Sequence, residues 1–88
     1  MTTSRAATPE WAEKVRVLRK KLNMNQSELA QKLNVSAMAI SRWERAVNQP
    51  PAEAFISLGK LAGEPECWFF WQQAGLSKSD LKRALTVR

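Results

Sequence analysis

Between Asn25 and Asn48 the apolar residues fall at helical spacing twice over, with a short interruption between the two sets. Leu29, Ala30 and Leu33 share one face of a helix whose first position is Gln26. After Val35, Ile40 and Trp43 share one face of a second helix. The two faces can bury against each other and a common core. What they leave outside is the far face of the second helix, carrying Ala37, Met38, Ser41, Arg42 and Arg45.

With 88 residues, the chain is one small domain, burying about 60 to 65% of its unfolded surface and too short for two cores. Its 44% hydrophobic and 25% charged residues are ordinary for a globular domain and unlike a disordered tail. A net charge of +6 is less ordinary at this length and points to an anionic partner, nucleic acid first. The N-terminus has no apolar stretch of the kind that directs secretion, and no later run reaches the length of a membrane span. A cytoplasmic, nucleoid-associated protein with no membrane partner is therefore expected. There is no histidine, one cysteine (Cys67) and no glycine-rich phosphate loop. Metal sites and histidine-dependent catalysis lose their usual groups, so neither a metal, a cofactor nor an enzymatic activity is expected. Cys67 reads as a small, partly buried apolar residue.

Thr8 and Pro9 read as a capping hydroxyl followed by a proline at the first helical position. Trp11, Val15, Leu18 and Leu22 then recur at helical spacing, predicting a first helix to about Leu22. Asn25 and Glu28 form a capping box for the second helix, and Ser36 caps the third. Pro50 and Pro51 open a fourth, carrying Phe55, Ile56, Leu58 and Leu61 and closed by Gly63 as a left-handed cap. Gly59 lies inside it, where glycine costs about 1 kcal/mol relative to alanine; its plainest use is to admit a close neighbouring helix. Pro65 begins a fifth helix through Trp68, Phe69, Phe70 and Trp71, ending at Gly75. Ser77 and Asp80 cap a last short helix ending near Leu85. No segment alternates as a strand. The expected fold is all-α: a flexible N-terminus at 1–8, a five-helix domain at 9–75 and a helical extension at 76–88. Ending on Arg88 soon after a helix leaves a longer parent chain open.

The run Gln26, Glu28, Leu29, Ala30, Ser36, Ile40, Ser41, Trp43 and Glu44, continuing into Pro50 and the following helix, resembles the lambda-repressor-like, or Xre, helix-turn-helix family of DNA-binding proteins. The resemblance covers roughly residues 10–62, with the helix-turn-helix at 26–45. It implies a lambda-repressor-like domain that binds double-stranded DNA, with Ala37, Met38, Ser41 and Arg42 facing base edges. Arg42 can donate two hydrogen bonds to guanine, while Ala37 and Met38 lack donors and suit thymine methyls; for Met38 a plain surface gap-filler is the alternative. Gln26, Ser36, Arg45 and Asn48 are implied at phosphates, with Lys32 or Lys21 adding charge or simply forming a solvated face. A structural pair between Arg19 and Glu44, rather than a catalytic glutamate, is implied in the same way, and Trp43 is core. Two positions depart from the family pattern. Asn34 stands where glycine is usual in the turn, and asparagine tolerates the left-handed conformation. Ala46 stands where glycine commonly ends the third helix, so that helix is expected to run on by a residue or two.

Four consecutive aromatic residues wrap the fifth helix, and one face suffices for a core. Two of the rings are therefore expected to be left for an interface; the candidates are Trp68, Phe69 and Trp71, aided by Leu81 and Leu85, and the resemblance implies that they join a homodimer that reads a palindromic operator. The alternative covering is the last helix folding back on the rings. The leading functional expectation is a sequence-specific transcriptional repressor. The second is an antitoxin or adaptor whose aromatic helix binds another protein while the helix-turn-helix serves autoregulation.

Overall fold

Three residues in the left-handed conformation, Asn23, Asn34 and Ala46, close three successive helices. The computed structural model describes residues 8–75, and its contacts divide into two units between Pro50 and Pro51. The first unit holds α1 (Glu10–Lys21), α2 (Gln26–Leu33) and α3 (Ala37–Glu44); the second holds α4 (Ala52–Ala62) and α5 (Cys67–Gln73). Among the described residues there is no strand. The expected extension at 76–88, with its Ser77–Asp80 cap and Leu81 and Leu85, lies outside the described residues, as do residues 1–7.

In the first unit, each start is set by a local device. Pro9, not Thr8, takes the cap position of α1: its ψ of 149° leaves it outside the helix, and its carbonyl accepts from the Ala12 N–H at 3.1 Å. Proline's fixed φ suits that position as well as the one after it. Glu10 and Glu13 in the first turn and Arg19, Lys20 and Lys21 in the last complement the helix dipole. The capping box of α2 is complete, with Asn25 and Glu28 exchanging two hydrogen bonds of 2.8 Å. Ser36 Oγ accepts from the Ala39 N–H at 3.1 Å to cap α3.

The three helix ends repeat one backbone pattern. At each, the left-handed residue donates three residues back and its successor donates five back: Asn23 to Lys20 and Met24 to Arg19, Asn34 to Gln31 and Val35 to Ala30, Ala46 to Trp43 and Val47 to Arg42. This Schellman closure satisfies carbonyls that the helix leaves orphaned. It also corrects the expected end of α3. The helix stops at Glu44 and Ala46 enters the left-handed region at φ 61°, because two hydrogen bonds of 3.0 and 2.8 Å from the closing turn outweigh about 1–2 kcal/mol of alanine strain.

Packing of α3 against both α1 and α2 makes the core of this unit. Ala12, Val15, Leu18, Leu29, Ala30, Leu33, Ile40 and Trp43 are buried, while Trp11, Leu22 and Val35 are only half-buried. One polar device crosses it. Arg19 of α1 donates from Nε to Glu44 Oε2 at 2.6 Å and from Nη2 to Oε1 at 3.0 Å, and from Nη1 to the Met24 carbonyl at 3.0 Å. The side chains are 14% and 6% exposed. The hydrogen bonds to Glu44, more than the charge alone, raise the Arg19 pKa further above its ordinary value, so the guanidinium stays charged despite its burial.

The second unit is a helical hairpin. Gly63 ends α4 with φ 71° and ψ 173°, which is not the left-handed helical cap expected but the mirror-extended region that glycine alone enters freely. A turn at 64–66, in which the Glu64–Pro65 bond is cis, leads into α5. That helix starts at Cys67, two residues later than the proline signalled. The role expected of Gly59 is met within this unit: the Trp71 indole lies on it, and a Cβ there would stand 2.7 Å from Trp71 Cδ1. Trp71 Nε1 donates to the Ile56 carbonyl at 3.0 Å. Cys67 is buried, and burial, with Glu64 adding to it, pushes its thiol pKa up and away from reactivity.

Two substitutions separate these causes. Ala46→Gly removes the left-handed strain at a smaller entropic cost, so it stabilises the protein by about 0.5–1 kcal/mol in urea denaturation; an unchanged or lower midpoint contradicts the closure described. By helix propensity alone Gly59→Ala stabilises by about 1 kcal/mol. Displacing the Trp71 ring reverses the sign, and a loss of about 1–3 kcal/mol is expected.

Candidate nucleic-acid interface

On α3, Ala37, Met38, Ser41 and Arg42 follow one another at spacings of one, three and one, which puts them on the face opposite Ile40 and Trp43. Ile40 is fully buried and Trp43 is 2% exposed, so Trp43 is core. Met38 is 57% exposed and Arg42 is exposed, while Ala37 and Ser41 are half-buried. The chain thus spends a large apolar side chain on solvent beside a cation, flanked by two small residues that keep the face flat.

The expected phosphate-side residues are arranged unequally. Ser36 uses its oxygen to cap α3 and keeps its hydroxyl hydrogen. Arg45 is exposed and turns back on α3, donating from Nε to Ser41 Oγ at 3.1 Å. Asn48 is exposed. Gln26 opens α2, where the first-turn N–H groups and the positive end of the dipole favour an anion. Its side-chain amide donates to Glu44 Oε1 at 3.3 Å. Glu44 therefore receives Arg19 and Gln26 together, and the pair expected between Arg19 and Glu44 is part of a three-residue cluster. Sequence reasoning did not find the Gln26 and Ser41 contacts. The four-residue separation of Ser41 and Arg45 is a visible signal for the second; nothing local signals the first.

Electrostatics single out the same unit. Residues 1–50 contain nine Lys and Arg against four Glu, and residues 51–88 contain five against four acidic residues. Between 51 and 75 the lone Lys60 stands against Glu53, Glu64 and Glu66. In the first unit Arg19 is neutralised by Glu44, and Arg16 is matched to Glu13 at 2.6 Å on the surface. Arg42, Arg45 and Lys32 are exposed.

The aromatic helix looks different from its sequence expectation. Phe70 is buried, and Trp68, Phe69 and Trp71 are half-buried, so none of the four rings is bare. Trp68 meets Trp71 edge-on at 5.2 Å and Phe69 meets Phe70 edge-on at 5.5 Å. Trp71, expected at an interface, is held on α4 by its hydrogen bond and by Gly59. Among the described residues, the large exposed apolar side chains are Val17, Met38 and Val47. Among the described residues no helix is long and apolar enough to cross a membrane, and no acidic or thiol cluster is grouped to hold a metal.

Over 48 residues the chain is 42% identical to Repressor protein C2 of Salmonella phage P22; the match takes in 54% of this chain and 22% of that repressor. The chain thus corresponds to about a fifth of its relative's length. No solved structure matches the chain significantly. The helix-turn-helix family model matches residues 15–69, which contain α2 and α3 whole and every base-facing candidate. With more than half its length inside that match, the chain belongs to the helix-turn-helix family, of the lambda-repressor-like, Xre type.

Proposed function

We propose that this chain is a sequence-specific double-stranded DNA-binding regulator that acts as a repressor by occupying an operator. The observation that carries the reading is the outer face of α3. A helix clamped from behind by Arg19 and Gln26 through Glu44 offers Met38 and Arg42 to solvent in the basic unit of the chain. The major groove admits one such helix, and there each base pair has its own pattern of donors, acceptors and methyl groups. In this reading Arg42 gives two hydrogen bonds to guanine O6 and N7, and Met38 packs with Ala37 on thymine methyls. Gln26, Ser36, Arg45 and Asn48 hold phosphates, which fixes the register of α3 without reading sequence. The similarity to a phage repressor supports regulation by occupancy.

Palindromic recognition by a homodimer belongs to the same proposal. Three of the four base-facing residues are small or apolar, so a single copy discriminates few base pairs, and a second copy doubles the recognition. Trp68 and Phe69 of α5 remain the candidate surface for that contact, with Trp71 supporting them from its seat on α4.

Selection of bound duplexes from a random pool tests the reading. The expected product is a palindrome with guanine-containing half-sites about one helical turn apart. Its affinity falls steeply between 50 and 200 mM salt, as expected when several phosphates are neutralised. Arg42→Ala removes the guanine preference and costs about 1–3 kcal/mol at that position. Single, non-palindromic sites overturn the dimer; a pool with no enriched sequence overturns the regulator.

A further inference from the structure

We propose that Arg45 is a positioning residue for base readout: by donating from Nε to Ser41 Oγ it fixes Ser41 as a hydrogen-bond donor toward the groove, so that the base facing Ser41 is one offering an acceptor and cytosine is disfavoured there. The inference rests on the reading that α3 lies in the major groove, and adds to it the polarity of one contact.

A serine hydroxyl has one hydrogen and two lone pairs, and it rotates to suit its surroundings. Alone on a recognition helix it accepts from an amino group as readily as it donates to a carbonyl, which makes it a degenerate reader. Ser41 is not alone. Arg45, one helical turn on, donates from Nε to its oxygen at 3.1 Å. One lone pair is thereby occupied by a cation. The remaining lone pair sits in the field of the same guanidinium, which repels the hydrogens of an approaching amino group. The hydroxyl hydrogen is repelled too, and turns away from Arg45. Guanine offers N7 and O6 to such a donor, adenine offers N7 and thymine O4, whereas cytosine presents only its N4 amino group on this edge.

The placement suits the task. Ser41 is half-buried between exposed Met38 and exposed Arg42, so its hydroxyl is reachable from the outer face yet partly screened from bulk water. Arg45 follows the last residue of α3, and its backbone N–H donates to the Ser41 carbonyl at 3.0 Å, which fixes the spacing of the two side chains. A guanidinium carries five N–H donors. One serves Ser41, and the four on Nη1 and Nη2 stay available for a phosphate. Arg45 thus ties a backbone contact to the setting of a base contact. In the free protein water competes for this hydrogen bond; closing the groove over it removes the water and strengthens it.

Competition binding with the selected duplex and its variants at each base pair tests this, using the full chain and the substitutions Arg45→Lys, Ser41→Ala and both together. Arg45→Lys keeps the charge for a phosphate and loses the Nε donor. Wild type is expected to disfavour cytosine at one half-site position by about 2–10-fold, the range of a single hydrogen bond. Both single substitutions bring cytosine there to within about 2-fold of the other bases, the double substitution adds nothing further, and the guanine preference at the Arg42 position stays. Matched thermal midpoints show that all variants are folded. If Arg45→Lys weakens every duplex equally and leaves the discrimination intact, Arg45 is a phosphate ligand alone and the proposal is overturned. It is overturned equally if wild type accepts cytosine at every position that Ser41→Ala affects. Absence of any sequence preference in wild type sinks the groove reading itself, an outcome distinct from both.

Discussion

Arg19 and Glu44 share two hydrogen bonds across the interior of the first unit, and the direction in which α3 presents its outer face follows from that pair. Glu44 is the last residue of α3, and Arg19 lies in the last turn of α1. The third donor of Arg19 reaches the Met24 carbonyl, and Gln26 adds its amide to the other side of Glu44. The Arg19–Glu44 pair thus ties the end of α3 to α1, to the connection between α1 and α2 through Arg19, and to the first residue of α2 through Glu44. Hydrophobic contacts through Ile40 and Trp43 hold α3 in place without specifying its rotation to the few degrees that base contacts demand. A nearly buried ion pair is a poor source of net stability, since the desolvation of both charges offsets most of their attraction. What it gains here is directional.

The connections between helices complete that geometry. Each of α1, α2 and α3 is ended by a residue in the left-handed region, with paired backbone hydrogen bonds that leave no freedom in where the chain goes next. Asn23 and Asn34 tolerate that region. Ala46 does not, and its strain lies directly after Arg45, at the point where the chain leaves α3. The closure sets the backbone that carries both Arg45 and the exposed Val47, so the residue least suited to its conformation borders the proposed interface. In the second unit the corresponding constraint is steric: with no Cβ at Gly59, α5 can lay the indole of Trp71 on α4.

Sequence reading succeeded where causes are local. The spacing of Leu29, Ala30 and Leu33 and of Ile40 and Trp43, the Asn25–Glu28 box and the Ser36 cap each involve residues no more than four apart; the apolar residues are buried and both caps are present. The Arg19–Glu44 pair spans 25 positions and was legible only through the family resemblance, since no spacing rule links residues so far apart. Glycine 59 signalled a close approach but not its partner. The errors fell at helix ends, where residues one apart compete for the same role: Pro9 against Thr8, Cys67 against Pro65, and Ala46, whose propensity argued for a longer helix until two closing hydrogen bonds outweighed it. A run of four rings cannot show which of them finds a partner inside the chain; the Trp71 N–H found the Ile56 carbonyl.

The central claim is that the Arg19–Glu44 pair acts as one unit that positions α3, and a double-mutant cycle in urea denaturation measures it most directly. Arg19→Met and Glu44→Leu each leave one charge buried without its partner and are expected to cost about 3–5 kcal/mol, whereas the double substitution, with no charge left to desolvate, costs far less than their sum. A coupling of at least about 2 kcal/mol is the predicted result. Additive losses, with a coupling below about 0.5 kcal/mol, would show that the two side chains act independently and that something else sets the direction of α3.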